Sequence, residues 1–410
     1  MEHILDILKD RGFIAQTTFE DELYEQLKEP TTFYVGFDPT ADSLHIGHYI
    51  PIMAMAHMQR AGHKPIALMG GGTAMIGDPS GKTDMRKMMT TETIDHNVEC
   101  IKAQMERFLD FSEGQAIIVN NGDWLRHLNF IEFMRDVGTK FTVNKMLTAE
   151  CYKARMASPN GLSFLEFTYM LMQSYDFLEL FKRYGCRLEM GGNDQWSNML
   201  GGADLVRRDL GEKAFACTFQ LLLTHDGRKM GKTEAGALWL DANKTTPFDF
   251  YQYWRNVDDQ DVQKCLSLLT FLPMDEVRRL GALKDAEINE AKKVLAFEVT
   301  KLVHGEEAAQ KAQEAALALF GSGQNDANVP RLFVTAEEVA EDARVTTMLV
   351  RAGLCKSQTE ARKQIEQNAV SVDNQRVTAA SETLSPAQLA GQGVILRKGK
   401  KNFCRVSLPE

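Results

Sequence analysis

Two histidines stand three residues apart in His45-Ile46-Gly47-His48. At a helix start that spacing puts both imidazoles on one face, one turn apart. The unsatisfied amides of such a terminus attract anions, so imidazole donors there can bind phosphoryl oxygens. Gly47 between them lets a flat base or sugar approach the backbone. About 180 residues later comes Lys229-Met230-Gly231-Lys232-Thr233. Two lysines and a hydroxyl on a Gly-bearing loop can close over a triphosphate as charge develops. Standing alone, such a loop reads as a solvated basic surface. A third candidate, Gly77-Asp78-Pro79-Ser80-Gly81-Lys82-Thr83, resembles a phosphate-binding P-loop. That motif needs its first glycine at position 76, which is Ile76, so the P-loop reading is rejected. Lys82 and the nearby Arg86 remain suited to an anionic group.

The elements that must position these residues follow from local patterning. Residues 33–37 (FYVGF) form an apolar, β-prone run broken by the turn Asp38-Pro39-Thr40. A helix is predicted over about 46–60, with Pro51 early enough to cost little. Gly62 ends it, residues 65–69 (PIALM) read as a second strand, and 70–73 (GGGT) open the next turn. Strand, helix and strand form a βαβ unit and predict a parallel sheet. Ligands of such sheets collect at the carboxyl ends of the strands. Residues 116–120 and 187–190 read as further strands, and 124–181 as mostly helical with a break at Asn160-Gly161. Residues 246–320 are almost wholly helical. A Rossmann-like catalytic domain is thus predicted over 1–225, with a helical insertion at about 124–185. A signature-loop and α-helical domain follows over 226–321, then a linker at 322–343 and a small α+β domain at 344–410.

Composition narrows the classes. Of 410 residues, 44% are hydrophobic and 25% charged, which excludes wholesale disorder. No apolar run reaches the ~18 residues of a membrane span, and the acidic, amphipathic first residues do not read as a secretory signal. Seven scattered cysteines without a C-x-x-C pair fit free thiols in a reducing cytoplasm and offer no zinc cluster. Net charge is −9 but uneven: residues 344–410 hold eleven Lys and Arg against five Asp and Glu, leaving −15 for the rest. An acidic body with a basic tail is the asymmetry of a chain whose tail contacts phosphates.

The two motifs together resemble the paired signatures of class I aminoacyl-tRNA synthetases. Residues 34–48 (YVGFDPTADSLHIGH), 77–86 (GDPSGKTDMR), 169–176 (YMLMQSYD), 191–196 (GGNDQW) and 299–306 (VTKLVHGE) are similar to bacterial tyrosyl-tRNA synthetases, and the likeness covers essentially the whole chain. It implies that Tyr34 and Asp176 bind the substrate phenol, since one can donate while the other accepts. It gives the ammonium to Asp78, Tyr169 and Gln173, and the carboxylate end to Gln195. Tyr169, Gln173 and Asp176 are spaced for one helix face. ATP falls to Gly36, Asp38, Gly47, Asp194 and Lys232. Its phosphates fall to Thr40, His45, Lys82, Arg86, Lys229, Lys232 and Thr233, with His48 beside them. Val35 departs from the pattern where some members place a Cys that contacts the ribose, so that hydrogen bond is expected to be absent; Gly231 also departs, with no loss of function expected. Magnesium is expected to travel with ATP, with no built metal site and no tightly bound cofactor.

The tail resembles an S4-like RNA-binding fold, in which Arg351, Lys356, Arg362, Lys363, Arg397, Lys398, Lys400 and Lys401 would contact the tRNA backbone. A homodimer is implied by the resemblance, with the apolar segment 129–146 as a candidate interface. The expected reaction joins L-tyrosine to ATP, releasing pyrophosphate, and then to tRNA(Tyr). Three alternatives explain less. A tryptophanyl-tRNA synthetase would not need the Tyr34 and Asp176 pair. A small-molecule nucleotidyltransferase would lack the lysine loop and tail. A non-catalytic RNA-binding protein leaves the active-site set unexplained.

Overall fold

The computed structural model describes residues 2–80, 89–233, 236–320, 330–373, 375–391, 393–399 and 402–408. Lys82, Arg86, Lys400 and Lys401 lie outside the described residues, as do the side chains of Lys232 and Thr233. Two compact units divide the chain, Met1–Ala309 and Gln310–Glu410.

Six strands build the sheet of the first unit: β1 (Ile14–Thr17), β2 (Thr32–Phe37), β3 (Lys64–Met69), β4 (Ile117–Asn120), β5 (Leu188–Gly192) and β6 (Phe215–Phe219). Their order is β1-β6-β5-β2-β3-β4. Strands β2 to β6 run parallel, as expected, and β1 closes one edge antiparallel to β6. Central strands such as β3 are buried almost end to end, which a parallel sheet covered on both faces demands. The edge strand β1 was not anticipated, because its IAQT sequence is short and half polar. The chain walks outward from β2 through β3 to β4, then returns to lay β5 and β6 on the other side. The switch point therefore lies between β2 and β5, and a crevice opens at their carboxyl ends.

The helix Ile46–Arg60 connects β2 to β3. Pro51 lies beyond its first turn, not within it, so the carbonyl of Gly47 loses its helical partner and the helix still continues. The expected helical stretch after β4 is more broken than its sequence suggests, with short helices at Phe130–Asp136, Val143–Met146 and Glu150–Met156. The long helix Phe164–Tyr184 follows, started by a capping box of Ser163 and Glu166 and stopped by Gly185 in the left-handed region. Glu166 is also gripped by the buried Arg155 at 2.9 Å, which fixes the start of this helix against its neighbour. The helices Pro247–Arg255, Val262–Leu269, Met274–Gly281 and Ile288–His304 form the anticipated helical segment. Arg11 ties the N-terminal region to it by donating to the carbonyls of Ser267, Thr270 and Leu272. Among the described residues, no helix is long and apolar enough to cross a membrane.

The second unit holds a five-stranded sheet. Hairpin β10 (Val370–Val372) and β11 (Gln375–Arg376) lies beside β12 (Val394–Lys398) and β13 (Asn402–Ser407), and β9 (Arg331–Phe333) pairs parallel to β13. The helices Val345–Arg351 and Gln358–Glu366 precede the hairpin. Part of the stretch read as a linker is folded: β9 joins the sheet, and Val334 and Val339 enter the buried core. Its polar composition hid an edge strand whose pairing partner lies far away in sequence.

Candidate active site

The crevice between β2 and β5 widens into a cavity of about 780 Å³. Its inner end is acidic and buried. Asp176, on the helix Phe164–Tyr184, is only 2% exposed. Its Oδ2 accepts from Asn121 Nδ2 at 2.8 Å, and its Oδ1 from Trp124 Nε1 at 2.7 Å. Burial pushes this carboxyl up, and the two N–H donors pull it back. Tyr34, on β2, is equally buried, and its hydroxyl has no hydrogen-bond partner. A buried hydroxyl without a partner costs about 1–3 kcal/mol. An acceptor and an orphaned hydroxyl thus face the same enclosed space.

In the middle of the cavity, Asp78 Oδ1 accepts from the Ser80 amide at 2.9 Å and Oδ2 from Gln195 Nε2 at 2.6 Å. Burial raises the Asp78 carboxyl to about 6. Gln173 is one helical turn from Tyr169 and from Asp176. Its Nε2 donates to Glu189 Oε1 at 2.9 Å, which leaves its Oε1 without a donor. Asp38 accepts from Thr73 Oγ1 at 3.0 Å and from the Tyr169 hydroxyl at 3.3 Å. Asn121 Nδ2 also donates to Thr73 Oγ1 at 3.1 Å, so the Asp38 and Asp176 ends share one network. Acceptors predominate here, which is the arrangement an ammonium requires.

The mouth is built on the helix start. His45 is the N-cap: its Nδ1 accepts the Gly47 amide at 3.0 Å, and His48 Nδ1 accepts the His45 amide at 3.2 Å. Using both Nδ1 atoms as acceptors assigns the ring protons to Nε2, so each imidazole is a donor at its outer nitrogen. Thr40 and Gly36 are exposed at the same mouth, as are Asp194 and Lys229. Leu238 joins the two signature segments, because its carbonyl accepts the Ile46 amide at 3.0 Å and its amide donates to the Gly231 carbonyl at 2.8 Å. Lys232–Thr233 and Gly236–Ala237 form a short antiparallel ladder next to that joint.

Tyr34, Gly36, Asp38, Thr40, His45, Gly47, His48, Asp78, Tyr169, Gln173, Asp176, Asp194, Gln195 and Lys229 thus share one cavity. Asn121, Trp124, Thr73 and Glu189 were missed by sequence reasoning. Glu189 left a usable signal, an acid inside the apolar strand LEMGG. Asn121 left almost none. In the second unit, Lys356, Arg362 and Lys363 are exposed, and Arg397 lies half-buried on β12. Arg351 pairs with Glu338 at 3.1 Å and Lys398 with Glu360 at 3.2 Å.

Residues 25–321 match the family of tRNA synthetases class I (W and Y), and residues 323–406 match the tyrosine–tRNA ligase SYY-like C-terminal domain. The chain belongs to the tyrosine–tRNA ligase family. It is 60% identical over 407 residues to the tyrosine–tRNA ligase of Fusobacterium nucleatum, covering 99% of this chain and 98% of that one. It is 58% identical to that of Clostridium botulinum, with both chains fully covered. Among solved structures, a C-terminally truncated Aspergillus nidulans mitochondrial tyrosyl-tRNA synthetase aligns with a TM-score of 0.70 at 28% identity. That alignment covers 78% of this chain and 95% of that one. An Encephalitozoon cuniculi tryptophanyl-tRNA synthetase shares the fold at a TM-score of 0.56 and 17% identity, covering 75% of this chain and 87% of that one. The chain is therefore an aminoacyl-tRNA synthetase, a class of enzyme that consumes ATP.

Gly231 shows why this loop carries glycine. Its φ is +83°, and a Cβ built on it would stand 1.8 Å from Ile46 Cγ2. Gly231→Ala is expected to destabilise the fold by about 1–3 kcal/mol through backbone strain and the clash together. Ile46→Ala should relieve only the clash. Urea unfolding of both single variants and the double variant should show a double-variant loss smaller than the sum; strict additivity would contradict this packing.

Proposed function

We propose that the chain activates L-tyrosine with ATP, forming tyrosyl-adenylate and releasing pyrophosphate, and then transfers tyrosine to the 3′-terminal adenosine of tRNA(Tyr). The observation that supports this most directly is the closed acidic end of the cavity, where Asp176 can accept from a phenol and the orphaned Tyr34 hydroxyl can donate to it. Asp78, Tyr169 and Gln173 take the ammonium, and Gln195 faces the carboxylate. That carboxylate is already ionised and attacks the α-phosphorus in line, so no side chain need act as nucleophile or base. Catalysis is positioning plus charge stabilisation. Thr40 and the Nε2–H groups of His45 and His48 face the leaving phosphates from the helix start. Lys82, Arg86, Lys229, Lys232 and Thr233 supply the opposing positive charge, while Gly36, Asp38, Gly47 and Asp194 hold the adenosine. Magnesium accompanies the ATP phosphates. The seven unpaired cysteines accord with a cytoplasmic setting.

Thr40 and His45 should act when charge moves onto the leaving phosphates. Because His45 also caps its helix, the informative variant is Thr40→Ala combined with His45→Asn, which keeps a cap acceptor. Pre-steady-state fluorescence should show adenylate formation slowed by about 10²-fold or more, with tyrosine and ATP dissociation constants near wild type. Weakened binding with a normal chemical rate would reject the role.

The basic tail supplies contacts to the tRNA backbone, through the exposed Lys356, Arg362 and Lys363 together with Arg351, Arg397, Lys398, Lys400 and Lys401. A chain ending at Ser322 should keep near-normal tyrosine-dependent pyrophosphate exchange and lose tRNA charging by orders of magnitude at ~150 mM salt. Full charging by that chain would remove the tail from the reaction.

A homodimer is supported by exposed apolar side chains on one segment, Phe130 at 67% and Ile131 at 64%. Met134 and Val143 of the same segment are exposed as well, and apolar side chains gathered on one segment fit an interface. Ile131→Glu should shift sedimentation from dimer toward monomer; an unchanged dimer would place the interface elsewhere.

A further inference from the structure

One acid in the cavity has no part in the scheme above. Glu189 is 3% exposed, lies on the otherwise apolar β5, and stands in direct register with Tyr34 of β2. Residues in register on neighbouring parallel strands point to the same face, with their backbones about 4.8 Å apart. Glu189 Oε1 accepts from Gln173 Nε2, whereas Glu189 Oε2 and the Tyr34 hydroxyl both lack a hydrogen-bond partner. Two buried polar groups thus stand beside each other and interact, so the direction of the proton between them decides what remains for a ligand.

A donor count shows what they are kept for. A substrate phenol that donates its O–H to Asp176 keeps its oxygen lone pairs as acceptors, and Tyr34 is the group that can donate a hydrogen bond to them. An ionised Glu189 would compete by taking the Tyr34 proton for itself. A protonated Glu189 does the opposite: its O–H donates to the Tyr34 oxygen and leaves the Tyr34 proton for the phenol. We propose that Glu189, carrying a proton on Oε2, is a positioning residue that turns the Tyr34 hydroxyl toward the substrate phenol, giving an ordered run of donors from Glu189 through Tyr34 and the phenol to Asp176. This rests on the tyrosine-activating reading above and adds a determinant of its side-chain selectivity.

The proton belongs on Glu189 because both oxygens of Asp176 are held by N–H donors, while Glu189 Oε2 has only the Tyr34 hydroxyl beside it. Burial raises Glu189 to about 7; it raises Asp176 as well, but there the Asn121 and Trp124 N–H donors pull the carboxyl back toward its ionised form. The other groups facing this site are Tyr34 from β2, Asp38 just after it, Gln173 and Asp176 from the helix Phe164–Tyr184, and Cys186 just before β5. The helix Trp196–Leu210 brings Gly202 to the carboxyl, where an added Cβ would stand 3.3 Å from Oε2.

The sign follows from linkage. Tyrosine prefers the protonated form, so the preference is full below about pH 7 and weakens above it, by at most about tenfold per pH unit. Titration of Asp78 or of the substrate amine alters tyrosine and phenylalanine alike and cancels in their ratio. The test is pyrophosphate exchange by the full-length enzyme with tyrosine and phenylalanine from pH 6 to 8.5, for wild type and Glu189→Gln. The wild-type ratio of kcat/KM for tyrosine over phenylalanine should fall as pH rises. In Glu189→Gln, whose amide donates like the protonated acid, it should stay flat near the wild-type low-pH value. Calorimetry of tyrosine binding to wild type in buffers of different ionisation enthalpy should show proton uptake at pH 8, a readout that needs no variant. A flat wild-type ratio without proton uptake overturns the Glu189 assignment alone, provided tyrosine is activated. Failure to activate tyrosine at any pH overturns the function instead.

Discussion

A carboxylate shut into the end of an apolar crevice is costly unless its lone pairs are met, and Asp176 imposes that condition on everything around it. Asn121 from the end of β4 and Trp124 from the helix after it come inward to supply the two N–H groups. The helix Phe164–Tyr184 must hold the carboxyl at that depth, and it is pinned at its start by the Ser163–Glu166 box and by Arg155. Tyr34 reaches the same point because β2 is central in the sheet. The result is an enclosed acceptor facing a hydroxyl that lacks a partner. Phenylalanine would leave both unmet, and an indole offers a donor but no oxygen acceptor.

The chemistry at the other end depends on a second constraint, the start of the helix Ile46–Arg60. His48 Nδ1 takes the His45 amide and His45 Nδ1 takes the Gly47 amide, which puts the ring proton of each on its outer nitrogen. The lysine loop is held against this helix through Leu238 rather than hanging free in solvent. Gly231 permits that approach, which explains in steric terms why the second signature carries glycine where a larger residue might be expected. Both signatures thus act as one device whose two halves are distant in sequence.

Much of this was legible in the residues. The βαβ pattern, the strand-end glycines and the paired signatures indicate a parallel sheet with its ligand crevice, and the four-and-three spacing of Tyr169, Gln173 and Asp176 places three pocket groups on one helix face. What stayed hidden depends on tertiary pairing. Asn121 looks like an ordinary turn residue until Asp176 is beside it, and β1 and β9 are too short and polar to announce themselves without β6 and β13. The dual role of His45 as cap and donor is invisible in the motif, since spacing cannot say which ring nitrogen is used. Pro51 was misjudged although the helix starts where expected, because a start at Ile46 already puts residue 51 in the second turn.

The central claim is that this pocket selects a phenol, and amino-acid-dependent exchange of pyrophosphate into ATP tests it most directly. Run with all twenty amino acids at equal concentration, the full-length enzyme should respond strongly to tyrosine, with phenylalanine and tryptophan close to the blank. Exchange supported equally well by phenylalanine or tryptophan would contradict the account of Tyr34 and Asp176.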